Sequence, residues 1–359
     1  MPGGELLLVG SIPYETVAEV FSRFGGTLGS SLDYLPDGEV GERQYWIDGI
    51  AYRVFNGHPE LETIKRPAPE DGVERWQPRN AQDQFAFRVR PGVSAVRFGD
   101  PGWRLGYARD AINSYFIFRA LKQNGTLPAH LRFQVCLPLP LSAVLPFFPA
   151  AGDAERVLPG FTAAMRAEVA KMVEKIPPAE LAIQWDCAVE SGMVDGAQAG
   201  GAQALAAAVR RAVAPLPELS PNIPAATALG YHLCFGTLGG WPMREPRDLS
   251  AVVALANAAI EASGRPVNFV HFPTLERSDE AFFAPLAELA APAARVYLGM
   301  IHHRHDRAGI RAQIRTARRY ISDFGLAAPC GFGRSSAAEL PGLLRDHQEA
   351  LELLRETRD

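Results

Sequence analysis

The sequence predicts a single (β/α)₈ barrel spanning residues 1–359, on three observations. Short apolar runs alternate with helix-length amphipathic segments, the order expected when helices wrap a parallel sheet. Eight such runs occur, and the last six are largely apolar on both faces, as strands buried on both sides must be. Polar and metal-binding residue types recur where the runs end, which is where barrels of this kind keep their chemistry.

Taken in order, strands are expected at Glu5–Pro13, Tyr34–Glu39, Leu131–Leu139, Leu181–Val189, Ala228–Gly236, Val267–Phe272, Arg295–His302 and Ala327–Gly333. Helices are expected at Phe161–Ile176, halted by Pro177 and Pro178, and at Leu249–Ser263, where Gly264 occupies the capping position. A third, Arg307–Phe324, carries Ile310, Ile314 and Ala317 on one side and arginines on the other, and Ala337–Thr357 closes the chain. Residues 51–125 break the alternation. They are expected to form an insertion after the second strand, lying over the barrel mouth, with a hairpin in Arg88–Phe98. The run Gly196–Ala208 reads as a loop entering an alanine-rich helix.

The composition narrows the class. Hydrophobic residues make up 47% of the chain and charged residues 21%, which suits a folded globular domain and not a disordered one. A net charge of -4, without a basic stripe interleaved with aromatics, argues against a nucleic-acid partner. No apolar run reaches the roughly 18 residues of a membrane span, and the opening segment lacks the basic flank and length of a signal peptide. The expected compartment is therefore the cytoplasm. There Cys136, Cys187, Cys234 and Cys330 are expected as packed thiols or metal ligands and not as disulfides.

The strand ends carry the candidate site. The fifth strand ends in His232-Leu233-Cys234, and residues two apart on a strand face the same way, so one imidazole and one thiolate converge. Cys330 follows at the end of the eighth strand, before the glycine-rich Gly331-Phe332-Gly333. Three such ligands at one barrel face suit a tetrahedral Zn²⁺ with an open position. For a fourth ligand the sequence offers His271, at the end of the sixth strand, or Glu276, in the loop after it; His271 reads equally as a histidine that lines the pocket. His302 and His303, with His305 nearby, are candidates for proton transfer beside the metal, or belong to a solvated loop. Asp186 ends the apolar fourth strand, where a carboxylate needs a partner: a cationic substrate group such as an amine, or else a salt bridge or helix cap. Glu39, in the charged loop Asp37–Arg43, offers a second contact for an amine, with Glu42 and Arg43 free to pair with each other. The Gly10-Ser11 turn can present N–H groups to a carboxylate, or is an ordinary turn.

These segments, in this order, resemble the catalytic barrel of cobalamin-independent methionine synthase, in the superfamily shared with uroporphyrinogen decarboxylase. The pieces are Gly10-Ser11-Ile12-Pro13, Gly38-Glu39 with Glu42-Arg43, Ile183-Gln184-Trp185-Asp186, His232-Leu233-Cys234, Ile301-His302 and Pro329-Cys330-Gly331. In that family a zinc ion held by His, Cys, Glu and Cys binds homocysteine sulfur. The resemblance implies zinc ligands at His232, Cys234 and Cys330, an amino-acid carboxylate at Ser11, its amine at Asp186 and Glu39, and a catalytic histidine at His302. Asp186-Cys187-Ala188 departs from the family's Asp-Glu-Pro, His271 stands in place of the glutamate ligand unless Glu276 reaches back, and no pterin-binding segment matches.

The expected activity is zinc-dependent transfer of an alkyl group, methyl first among them, from a small-molecule donor to a small-molecule thiol such as homocysteine. Two alternatives share the scaffold. One is a thiol–epoxide transferase resembling epoxyalkane:coenzyme M transferase; the other is a metal-free decarboxylase or ligand-binding barrel.

Overall fold

The computed structural model describes residues 4–99, 103–290, 293–303 and 306–357. Strands β1 (Leu6–Leu7) and β2 (Tyr34–Pro36) come first, followed by an antiparallel pair, β3 (Leu61–Lys65) and β4 (Ala86–Val89). Then come β5 (Arg132–Pro138), β6 (Leu181–Cys187), β7 (Ala228–Leu233), β8 (Phe269–Pro273), β9 (Arg295–Gly299) and β10 (Gly325–Ala327). Eight of these form one parallel sheet in the order β1-β10-β9-β8-β7-β6-β5-β2. A parallel bridge from Leu6 to Leu32 brings the outer strands together, so the sheet is a nearly closed (β/α)₈ barrel with helices outside. No helix among the described residues is long and apolar enough to cross a membrane.

The barrel interior is filled by side chains from seven of its eight strands. Leu7, Val9, Tyr34, Ala182, Ala228, Phe269, Tyr297 and Ala327 pack there as a cluster of their own. Large rings alternate with small residues: Phe269 stacks on Tyr34 with centroids 4.8 Å apart and meets Tyr297 edge-on at 6.3 Å. Gly230 is required beside them, because a Cβ there would come within 2.2 Å of the Phe269 ring. This packed floor seals the lower half of the barrel and leaves its C-terminal mouth for polar groups.

Several element boundaries differ from the sequence expectation, each for a physical reason. The eighth barrel strand is Gly325–Ala327 and not Ala327–Gly333, so Cys330 lies in the following loop. Pro329 has no N–H to give a ladder, while Gly325 is held against the Tyr297 ring, where a Cβ would sit 2.6 Å from ring carbons. The helix expected from Phe161 begins at Asp153 and runs through Pro159. Gly160 lets this helix lie against the Val96 segment, whose carbonyl oxygen is 2.1 Å from where a Cβ would be. The helix expected at Arg307–Phe324 ends at Ala317. In residues 51–125 the antiparallel pairing is between β3 and β4, with Glu62 opposite Arg88, and not within Arg88–Phe98. The later part of that stretch is a helix, Tyr107–Gln123, packed against β5 and the helix Asp153–Lys175. Its buried face, Ala108, Ala111, Tyr115 and Phe118, follows helical spacing but is interrupted by charged neighbours.

Candidate metal centre

Alternation along β6 and β7 turns Asp186 and His232 inward, and the register aligns Asp186 with His232 and His232 with His271. One carboxylate and two imidazoles thus share a level above the aromatic floor. Cys234 follows just beyond β7, its N–H donating to the Cys187 carbonyl at 3.1 Å. Cys330 arrives from the loop after β10.

These residues meet. Cys234 Sγ lies 3.6 Å from Cys330 Sγ, and Cys330 Sγ lies 3.8 Å from His232 Nε2. The ligand atoms of His232, Cys234 and Cys330 are all within 4.8 Å of one another. A disulfide would need about 2.05 Å, so the thiols meet as separate groups. Around tetrahedral zinc, with Zn–S about 2.3 Å and Zn–N about 2.05 Å, sulfurs stand roughly 3.8 Å apart and sulfur and nitrogen roughly 3.6 Å apart. The spacing and the soft donor set therefore suit such an ion.

The Cys330 loop is fixed by close backbone contact. Phe332 N–H donates to the Ser11 carbonyl at 2.6 Å and Gly333 N–H to Ser11 Oγ at 3.1 Å. A Cβ on Gly331 would fall 2.6 Å from Ser11 Oγ, and one on Gly333 2.7 Å from the Gln44 carbonyl oxygen. The two glycines let this loop lie on the end of the first strand, which carries Cys330 to the mouth.

The electrostatics separate the two thiols. Cys234 is held well below the ordinary thiol range by a hydrogen bond from Cys330, by the His232 ring and by the Gly236 N–H, which donates at 3.3 Å. Cys330 is pushed up by holding the shared proton and by burial. Within this pair Cys234 is the more acidic thiol and Cys330 the one that keeps the shared proton.

His271 and Glu276 do not join this group. The described ligand cluster is His232, Cys234 and Cys330, and His271 lies behind it, with its Nδ1 2.7 Å from His232 Nδ1. Burial and the adjacent His232 push the His271 pKa well down, opposed by the Ala328 carbonyl, so the ring stays neutral. Glu276 is largely exposed and approaches His302 Nδ1 at 3.9 Å. His302 itself is buried, 6.4 Å from the Trp241 ring. His303 turns to the C-terminal helix, where its Nδ1 is 2.8 Å from Asp346. His305 lies outside the described residues.

The remaining candidates line a narrow cleft with His232 and Cys330: Ser11, Glu39 and Asp186. Glu39 has a φ of 50°, unusual for a residue with a Cβ, and follows Gly38 at φ 78°. Its N–H donates to Asp37 Oδ1 at 2.9 Å, while its Oε2 is buried without a hydrogen-bond partner. Arg43 pairs with Asp37 at 2.7 Å and not with Glu42. Burial, then the neighbouring Asp186 and Asp37, pushes Glu39 well above the usual carboxylate range. Burial does the same to Asp186, partly offset by Gln184, whose amide donates to Asp186 at 2.7 Å.

Sequence reasoning missed three residues that build this mouth. Gln184 anchors the site by donating to the Val9 carbonyl at 2.7 Å, and its position two before Asp186 on an apolar strand was the available signal. Arg244 crosses the helix Ala188–Ala197 at Gly192 and donates to the carbonyls of Ala188 and Cys234 at 3.1 and 3.2 Å. Glu190 accepts from the Ser142 N–H at 3.0 Å and from its hydroxyl.

Burial raises Glu190 to about 7 despite those bonds. The folded state therefore keeps a proton that the unfolded chain has lost. The resulting stability is complete below the ordinary glutamate range and disappears as pH rises from about 4.5 to about 7. Urea unfolding of wild type and Glu190→Gln across this window should show a stability difference that changes by up to about 3 kcal/mol. A pH-independent difference would contradict it.

No family model matches the chain, and no curated protein matches it. Among solved structures it is similar to a B12-independent methionine synthase from Shewanella sp. W3-18-1, in complex with selenomethionine. The TM-score is 0.59 at 14% identity, covering 95% of this chain and 88% of that one. At that identity the likeness establishes the shared fold.

Proposed function

We propose that this chain is a transferase that binds one zinc ion through His232, Cys234 and Cys330 and there alkylates the thiol of a small amino acid such as homocysteine. The observation that carries this reading is the pair of spacings, 3.6 Å between sulfurs and 3.8 Å from sulfur to imidazole. Three protein ligands leave the fourth tetrahedral position to a substrate. Zn²⁺ bound there would deprotonate that thiol and hold it as a thiolate at neutral pH.

The chain's own residues do the rest. Two thiolates and a neutral imidazole would balance the metal charge and leave a bound sulfur electron-rich. Glu39 and Asp186 receive the substrate ammonium, which relieves their mutual repulsion, and the Ser11 turn takes the carboxylate. In this reading His302 would give or take a proton near the leaving group, whereas His303 is tied to Asp346. The complex of the similar methionine synthase with selenomethionine supports a sulfur amino acid as the ligand.

Purified protein given Zn²⁺ should hold about one ion per chain, and Co²⁺ in its place should change its visible spectrum when homocysteine is added. A chain that takes up no metal would overturn this reading in favour of a metal-free barrel. Thiol-dependent demethylation of a methylfolate tests methyl as the transferred group.

His271 acts through His232. A ligating imidazole donates its second N–H to an outer partner, which fixes the tautomer and the ring. If His232 Nε2 holds the metal, its Nδ1–H would donate to His271 Nδ1, 2.7 Å away. Chelator competition should find zinc about 10–100-fold weaker in His271→Leu, with part of the loss restored in His271→Gln. Equal affinity in His271→Leu and wild type would exclude this role.

A further inference from the structure

A second chamber meets the same two cysteines. It is a half-open pocket of about 260 Å³ with Cys234 and Cys330 in its wall. Cys330, Thr237 and Arg334 line both this chamber and the polar cleft of Glu39 and Asp186, so the two spaces are neighbours.

Their chemistry differs. The cleft is built of carboxylates and a serine, whereas Ile47, Pro146, Ala188, Val189, Leu238 and Met243 line the chamber. The charged groups that also line it are engaged. Arg244 donates to the two backbone carbonyls, Asp48 accepts from Gln84 at 3.1 Å, and Arg334 lies over the Tyr45 ring at 4.2 Å. Arg334 also stands 3.9 Å from Asp48.

Resting on the thiol-activating reading above, we propose that this chamber is the subsite of the second substrate, a compact electrophile whose non-reacting part is an uncharged hydrocarbon. The size supports a compact molecule, since 260 Å³ falls below the roughly 300–1,000 Å³ of pockets for drug-sized ligands. The lining supports hydrocarbon, and the shared Cys330 wall places the electrophilic carbon beside the sulfur. In the reaction a sulfur lone pair forms the S–C bond, and the bond from that carbon to the leaving atom breaks. The leaving atom departs with the electron pair, and the thiol proton goes to solvent. The products are a thioether, an anion and a proton.

The test uses the full chain and the series from ethanol to 1-hexanol, with affinity read by ligand-observed NMR. Affinity should rise about fourfold per methylene and level off once the chamber is full. Val189→Trp and Leu238→Trp, both at half-buried positions, should each weaken 1-hexanol binding at least tenfold with an unchanged circular-dichroism spectrum. Two positions keep the test decisive if one variant misfolds. A flat chain-length series, or wild-type affinity in both folded variants, overturns the proposal. Zinc content is measured on the same samples. Zinc bound with a flat series overturns the chamber alone, while a graded series without zinc overturns the thiol reading.

Discussion

Cys330→Ser should fold as the wild type does and bind zinc at least 100-fold more weakly, as measured by competition with a chromogenic chelator. Serine keeps the shape and a hydrogen-bonding atom, but its hydroxyl does not ionise near neutral pH and is a hard donor where zinc favours thiolate. The loop that carries it stays in place, because Phe332 and Gly333 hold the Ser11 backbone and hydroxyl independently of the sulfur. What is lost is one of three ligands, and with it the charge that balances the metal. The same variant should lose homocysteine-dependent spectral change in the cobalt form. Thermal unfolding without metal separates a lost ligand from a damaged fold, since the two proteins should then melt together. Wild-type zinc affinity in Cys330→Ser would remove Cys330 from the centre.

The barrel was legible because its strands are buried on both faces and so read as continuous apolar runs. The convergence of His232 and Cys234 was legible for a related reason: a period of two is enough to put them on one side. Cys330 was found by residue type, although its strand was placed too late, because Pro329 and Gly331 sit inside an apolar run whose ladder in fact ends at Ala327. Contacts decided by distant backbone were out of reach. Nothing local in Gly192 announces that Arg244 lies over it, and nothing near His271 says that its ring stops at His232 Nδ1, short of the cysteines. The side chain of Glu276 lies outside the described ligand cluster, exposed and near His302, a placement its loop sequence does not reveal. The helix Tyr107–Gln123 was not legible, because charged residues interrupt its apolar face.

Asp186→Asn should weaken an amino-thiol such as homocysteine about 100-fold while leaving 2-mercaptoethanol, which lacks the ammonium, close to its wild-type affinity. Hydrogen bonds to a buried charge are worth roughly 1.5–3 kcal/mol, and removing one partner leaves the ammonium short of charge as well. The pH dependence gives the argument its sign. Burial holds Glu39 and Asp186 above their ordinary range, with the Asp186 charge adding to it at Glu39 and the Cys234 and Glu190 charges at Asp186, so the free site favours a protonated carboxyl. An arriving ammonium favours the ionised form, and binding must then release a proton. Homocysteine affinity should therefore rise with pH through the range where that carboxyl titrates, until the amine itself loses its charge. Isothermal titration in two buffers of different ionisation enthalpy counts the released proton directly, and the thiol proton is subtracted with 2-mercaptoethanol. Glu39→Gln should abolish the remaining release and flatten the pH profile. An unchanged proton count in Glu39→Gln and Asp186→Asn would place the ammonium elsewhere.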